Sequence, residues 1–317
     1  MYSHLAEDRK NFKIVGKYYN KFLDDMLLGI LAEDFVLIGS DTGVGKSEFA
    51  YSIAFENSID KKVHLFALEA DHNEPYYRKL YKLIAEEYYA NPPYSKLDMS
   101  YRNYITNSID VSEYEKKALV KMEEYYKLKV HYRGIKFDIN DLILEINKIV
   151  KGDGCDLIVL DHIDYFDLNH AENENMQVAQ IMNTLRQVNQ TYKIPIIVIS
   201  HMRKKGNKKQ LIPTVDDFFG TSNKVKQVKT IITMARDFEL TNIKAGEYGT
   251  LFQVPKLRVG GGEYFVGRII YDRKKNAYHN SYELCTLKNY GETLELLERS
   301  KYPEWANQTL QTNLSLI

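Results

Sequence analysis

Phe35-Val36-Leu37-Ile38-Gly39-Ser40-Asp41-Thr42-Gly43-Val44-Gly45-Lys46-Ser47 decides how the rest of this sequence is read. Its opening residues are apolar and partly β-branched, the pattern of a buried strand. The run then breaks into a loop of small residues. Beyond it, Phe49, Ala50, Ile53 and Ala54 recur at helical spacing. Strand, loop and helix in that order make a phosphate cradle. Gly43 and Gly45 let backbone N–H groups turn inward around an anion, and the helix N-terminus adds positive partial charge. Ser40, Asp41, Thr42, Gly43, Val44, Gly45, Lys46 and Ser47 are therefore the expected nucleotide contacts. Lys46 suits the β- and γ-phosphates, and the Ser47 hydroxyl suits Mg²⁺. Ser40 occupies the place of the first glycine in G-x-x-x-x-G-K-[ST], and Gly39 is expected to supply the missing flexibility. An ordinary glycine-rich turn would need neither the strand nor the helix.

The rest of the composition sets bounds. A chain of 317 residues fits one large domain with appendages, or two small ones. Lys+Arg and Asp+Glu both number 43, so any nucleic-acid contact has to come from a local patch. Two cysteines, Cys155 and Cys285, have neither metal spacing nor a disulfide framework, and imply a reducing, cytoplasmic setting. No apolar run nears the ~18 residues of a membrane span, and no signal peptide opens the chain. The 25 tyrosines have no functional account from sequence alone.

In chain order, residues 1–17 read as a polar arm or linker. Residues 18–33 carry Phe22, Leu23, Met26 and Leu27 at partly helical spacing. Residues 63–68 predict a second strand, and Glu69 at its carboxyl end is positioned to polarise a water molecule. Residues 72–133 are rich in Tyr, Lys and Glu and are broken at Pro92-Pro93; they predict a helical insertion whose aromatic stripes are packing surface. Residues 139–150 predict an amphipathic helix. Leu157-Ile158-Val159-Leu160-Asp161 is a continuous apolar run ending in a carboxylate, the form of a strand whose aspartate holds Mg²⁺. His162 and Asp164 behind it read either as groups that support that aspartate or as plain polar loop residues, the latter favoured. After another helix, Ile196-Ile197-Val198-Ile199-Ser200-His201 predicts a strand ending where an imidazole can sense a γ-phosphate. The next nine residues carry five cations, Arg203, Lys204, Lys205, Lys208 and Lys209, candidates for phosphate-backbone contact. Residues 216–229 read as a second basic loop, with Lys224 and Lys226. Strand patterns follow at 230–234, 251–257 and 264–271, the last two joined as an antiparallel hairpin at Gly260-Gly261-Gly262. Lys256 and Arg258 share one face of that hairpin. Residues 286–317 read as a mixed tail.

From about residue 18 to about 285, these motifs together resemble the ATPase domain of DnaB-type hexameric helicases, in the RecA-like P-loop NTPase superfamily. Phe66-Ala67-Leu68-Glu69 resembles the motif whose glutamate is the catalytic base, and Leu157 to Asp161 resembles Walker B. Val198-Ile199-Ser200-His201-Met202-Arg203-Lys204 is similar to the phage primase–helicase and mitochondrial branch, where a histidine is the phosphate sensor. Residues 220–228, with Gln227, resemble the motif bearing a DNA-facing loop, and Pro255-Lys256-Leu257-Arg258 resembles the K-x-R strand. The resemblance implies a mostly parallel twisted α/β sheet flanked by helices, with an antiparallel hairpin at one edge. It also implies ATP and Mg²⁺ as cofactors, and self-association into a ring, a hexamer. In that ring Lys256 and Arg258 would act on the neighbour's γ-phosphate, and loops 203–210 and 220–226 would grip single-stranded DNA, with His201 coupling them to the nucleotide. Ser40, Ala70-Asp71 and Thr230 depart from the family pattern. The rival is a RecA-like regulatory or assembly ATPase that acts on a protein partner without unwinding DNA, which the zero net charge favours.

Overall fold

The computed structural model describes residues 13–92, 97–134, 137–152, 154–166, 174–202, 209–218, 221–257 and 264–307. Strands β1 (Ile14–Gly16) and β2 (Ile30–Leu31) pair antiparallel across helix α1 (Lys21–Leu27). The Asn20 side chain caps α1 by accepting from the Leu23 N–H at 3.2 Å, and the helix buries Phe22, Leu23 and Met26. The main sheet then begins with β3 (Phe35–Ser40), followed by α2 (Lys46–Asn57), β4 (Val63–Ala67) and α3 (Glu74–Ala90). Two further helices, α4 (Tyr101–Ile105) and α5 (Ser112–Tyr125), pack on α3 around Tyr81, Ile84 and Tyr88. Tyrosine supplies much of this satellite core, as its aromatic stripes predicted.

The chain returns to the sheet through β5 (Leu128–Tyr132), α6 (Ile139–Lys151), β6 (Leu157–Asp161), α7 (Glu174–Tyr192) and β7 (Ile196–His201). Helix α6 starts at a reciprocal cap in which Asp138 and Asp141 each accept from the other's backbone N–H. After α8 (Thr221–Gln227) come β8 (Thr230–Asn242), β9 (Glu247–Leu257), β10 (Phe265–Asp272), β11 (Ala277–Lys288), β12 (Thr293–Leu296) and the short α9 (Glu304–Asn307). The strands order as β12-β11-β10-β9-β8-β3-β7-β6-β4-β5. From β8 to β5 every neighbouring pair is parallel, and from β8 outward to β12 every pair is antiparallel. Strands β3, β4 and β6 are buried along their whole length because apolar layers cover both faces.

The fold class holds as read, and two local expectations change. The antiparallel hairpin stands as β9 and β10 and is extended into a five-stranded wing, β8–β12, with residue 285 inside β11. Residues 128–132, read with the helical insertion, form a strand in register with β4. Residues 221–227 are a helix and not a basic loop. The glycine-rich turn at 260–262 lies outside the described residues. Among the described residues, no helix is long and apolar enough to cross a membrane.

A candidate nucleotide-binding site at the strand ends

Parallel strands point their carboxyl ends to one edge, so β3, β7, β6 and β4 deliver Ser40, His201, Asp161 and, just past β4, Glu69 to the same rim. The loop after β3 folds over that rim. Gly43 and Gly45 take φ of 81° and 109°, a region that side chains rarely adopt, and Gly45 opens α2. The Lys46 ammonium bends back to donate to the Ser40 and Asp41 carbonyls, each at 3.1 Å. Burial pushes its pKa down, against the pull of Asp161 and Glu69.

Asp161 is fully buried, and neither carboxylate oxygen has an aligned hydrogen bond. Burial pushes its pKa up to about 6, opposed by His162 and by the Ser47 and Tyr51 hydroxyls that face it. A buried carboxylate without a full set of partners, beside a serine hydroxyl at a helix N-terminus, is a hard-oxygen donor set that fits Mg²⁺.

His162 follows directly, across a cis peptide bond. Its Nε2 lies 3.0 Å from Glu69 Oε2 and its Nδ1 3.5 Å from Asp164 Oδ2. The ring stands edge-on to His201, centroids 4.0 Å apart, and the Tyr165 hydroxyl donates to Glu69 Oε1 at 3.3 Å. Burial, then His162 and Lys46, lower the His201 pKa, so that imidazole is held toward its neutral form. Asp164 accepts from the His201 backbone N–H at 2.7 Å and from Lys224 Nζ at 2.6 Å, while Lys224 also donates to Ser200 Oγ at 2.9 Å. Burial alone would raise the Asp164 pKa. His162, Lys224 and the backbone donor outweigh it and hold the carboxyl well below the usual range.

Beside the glycines opens a cavity of about 370 Å³ lined by Arg78, Tyr101, Arg236, Tyr248, Tyr271 and Tyr278. Arg236 donates to the Gly43 carbonyl at 2.7 Å and lies over the Tyr248 ring. Arg78 pairs with Glu48 at 2.6 Å and Glu74 at 2.7 Å and covers Tyr101.

Lys46, Ser47, Glu69, Asp161 and His201 thus lie together at one rim. Other expectations need correction. Gly39 is an interior strand residue and not a loop hinge; a Cβ there would meet the Phe218 ring at 2.4 Å. Lys224 is fully buried in its pair with Asp164, so it is not a DNA-facing cation. Lys256 donates to the Val225 and Val228 carbonyls at 2.6 and 2.9 Å, holding the end of α8, so its ammonium is not aimed outward at a neighbour. Lys209 and Lys226 are exposed. Arg203, Lys204, Lys205, Lys208 and Arg258 lie outside the described residues. The sequence reading missed His162, Asp164 and Lys224 as a connected group, although two polar residues just past a metal-type aspartate were the available signal.

A glycine loop on a parallel sheet, with a lysine, a buried aspartate and a glutamate converging on it, defines an α/β nucleotide-binding domain of the P-loop kind. The chain belongs to the DnaB-like helicase C-terminal domain family, whose model matches residues 19–278. It is similar in fold to a DnaB-like replicative helicase described with its interactions with primase, at 15% identity and a TM-score of 0.69, over 88% of this chain and 66% of that one. It is also similar to a structure solved as an ATPase domain, at 16% identity and a TM-score of 0.70, over 88% and 95% of the two chains. A KaiC-like protein of Pyrococcus horikoshii OT3 shares the fold at 12% identity and 0.51, over 90% and 100%. No curated protein sequence matches the chain.

Proposed function

We propose that this chain is an Mg-ATP-hydrolysing motor subunit that moves on single-stranded DNA, working in a hexameric ring. The convergence of Lys46, Asp161, Glu69 and His201 on one glycine loop carries the reading. Lys46 swings from the loop carbonyls to the β- and γ-phosphates, and the 370 Å³ cavity takes the nucleoside. Ser47 and Asp161 hold Mg²⁺, which when bound neutralises charge on the phosphates. Glu69 takes the proton of the attacking water, and His162 and Tyr165 fix its carboxylate. His201 reports the nucleotide through its backbone N–H to Asp164 and Lys224, and so to α8. Arg258 reaches the neighbouring subunit's site as a finger worth ~10³–10⁵ in rate. Lys209 and Lys226, with Arg203, Lys204, Lys205 and Lys208, provide the DNA contacts.

The test is ATP turnover of a sized oligomer with and without single-stranded DNA. The reading expects stimulation by DNA, and binding that weakens with salt by about 0.7 in log–log slope per phosphate contacted. Burial of Lys224 and the balanced charge favour a second reading, an ATPase acting on a protein partner. Turnover without any salt-dependent DNA binding would select it.

A further inference from the structure

The hydrolysis reading gives His162 only a positioning role, yet its surroundings are those of a ligand. The ring is 1% exposed, and each nitrogen faces a carboxylate, Nε2 that of Glu69 at 3.0 Å and Nδ1 that of Asp164 at 3.5 Å. A carboxylate on the outer nitrogen fixes the tautomer and ring orientation, as it does for metal-ligating histidines. One ligand atom each from Glu69, His162 and His201 lies within 4.8 Å of the others. We propose that these three residues form a site for a divalent transition-metal ion, zinc foremost, separate from the oxygen pair of Ser47 and Asp161.

The geometry is close to what zinc needs. Bonds of ~2.0–2.1 Å in a tetrahedron put neighbouring ligand atoms about 3.3 Å apart. Glu69 Oε2 and His162 Nε2 are already 3.0 Å apart, and the His201 ring lies edge-on at 4.0 Å between centroids. Asp164 faces Nδ1 of His162 at 3.5 Å, the outer carboxylate that commonly orients a metal-bound imidazole, and this leaves Nε2 for the ion. Two imidazoles and one carboxylate select zinc, cobalt or nickel over magnesium, which prefers oxygen. Glu69 is 41% exposed, so an ion has an entrance and a fourth position open to water. The consequence rests on the hydrolysis reading: an ion held by Glu69 occupies the base, so filling the site stops turnover.

The experiment titrates Co²⁺ into the full chain without nucleotide or magnesium. One equivalent should produce the visible bands of a four- or five-coordinate cobalt ion with imidazole ligands, and Zn²⁺ should displace it. His201→Gln and His162→Asn should each weaken binding at least by the ~10–100-fold that loss of even an outer partner costs. His201 is only half-buried, so its variant guards against a folding defect at His162. Binding that does not saturate at one ion, or that survives in both folded variants, overturns the site. In excess Mg-ATP, zinc should suppress turnover at the concentrations that displace cobalt; full turnover with the site saturated overturns the inhibitory role. Protein freed of transition metals that shows no turnover in excess Mg-ATP would count against the hydrolysis reading and leave the absorption result standing.

Discussion

Glu69 touches His162 through one carboxylate oxygen and Tyr165 through the other, which leaves the carboxylate oriented and partly open to water. Glu69→Gln keeps those contacts nearly isosteric and removes the basicity. It should leave ATP affinity within a few-fold while lowering turnover by the ~10²–10⁴ that a general base contributes. Parallel hydrolysis and equilibrium binding assays check it, and near-normal turnover would remove Glu69 as the base. Lys224 makes a second residue-scale prediction. Lys224→Met strands the Asp164 carboxylate and should cost about 3 kcal/mol in urea unfolding, whereas Met at exposed Lys226 should change little. The sign with pH follows from the depressed Asp164 pKa. Its contribution is complete above the unfolded value of about 3.9 and is lost as pH falls from there through the lower folded value, so the stability gap between wild type and Lys224→Met should start to narrow below about pH 4 and close only toward the depressed folded value. Glu69 and Asp161 were legible because each ends an apolar run. Asp164 and Lys224 were not, because 60 residues separate them and only the fold brings their charges together.

At the scale of elements, β3 is close-packed on the side where Gly39 meets Phe218. Gly39→Ala forces a methyl group into contact with that ring and should destabilise the protein by ~1–3 kcal/mol, with Phe218→Leu partly restoring stability. Thermal or denaturant unfolding of both variants and of the pair decides it; no loss in the single variant would contradict the packing. The parallel strands and their helices were readable because burial on two faces writes continuous apolar runs. Helix α8 was not. Seven residues are too few to show an apolar period, and such a short helix depends on tertiary holds. Lys224 holds it from its own sequence, and Lys256 from β9. Strands β8 and β9 were read too short for a related reason: the outer part of β8 and the start of β9 are partly solvated, so their apolar signal thins there, while β10 was read to within one residue and β11 was not read as a strand.

For the whole molecule, the proposed ring has a direct test. Lys46→Ala and Arg258→Ala subunits, each nearly inactive alone, should recover activity when co-assembled, because some interfaces then pair an intact loop with an intact Arg258. Light scattering establishes co-assembly, and no recovery despite it would confine the site to one subunit. The antiparallel wing has a separate consequence. It meets the parallel half at β3 and β8, and from it Arg236 holds the Gly43 carbonyl while Lys256 holds the end of α8. Whatever the glycine loop grips should therefore be felt across the seam. Backbone amides of β8 and β9 should take up deuterium more slowly once nucleotide is added. Cutting one tether with Arg236→Ala should erase that slowing while the loop still fills, leaving the wing deaf to its own active site.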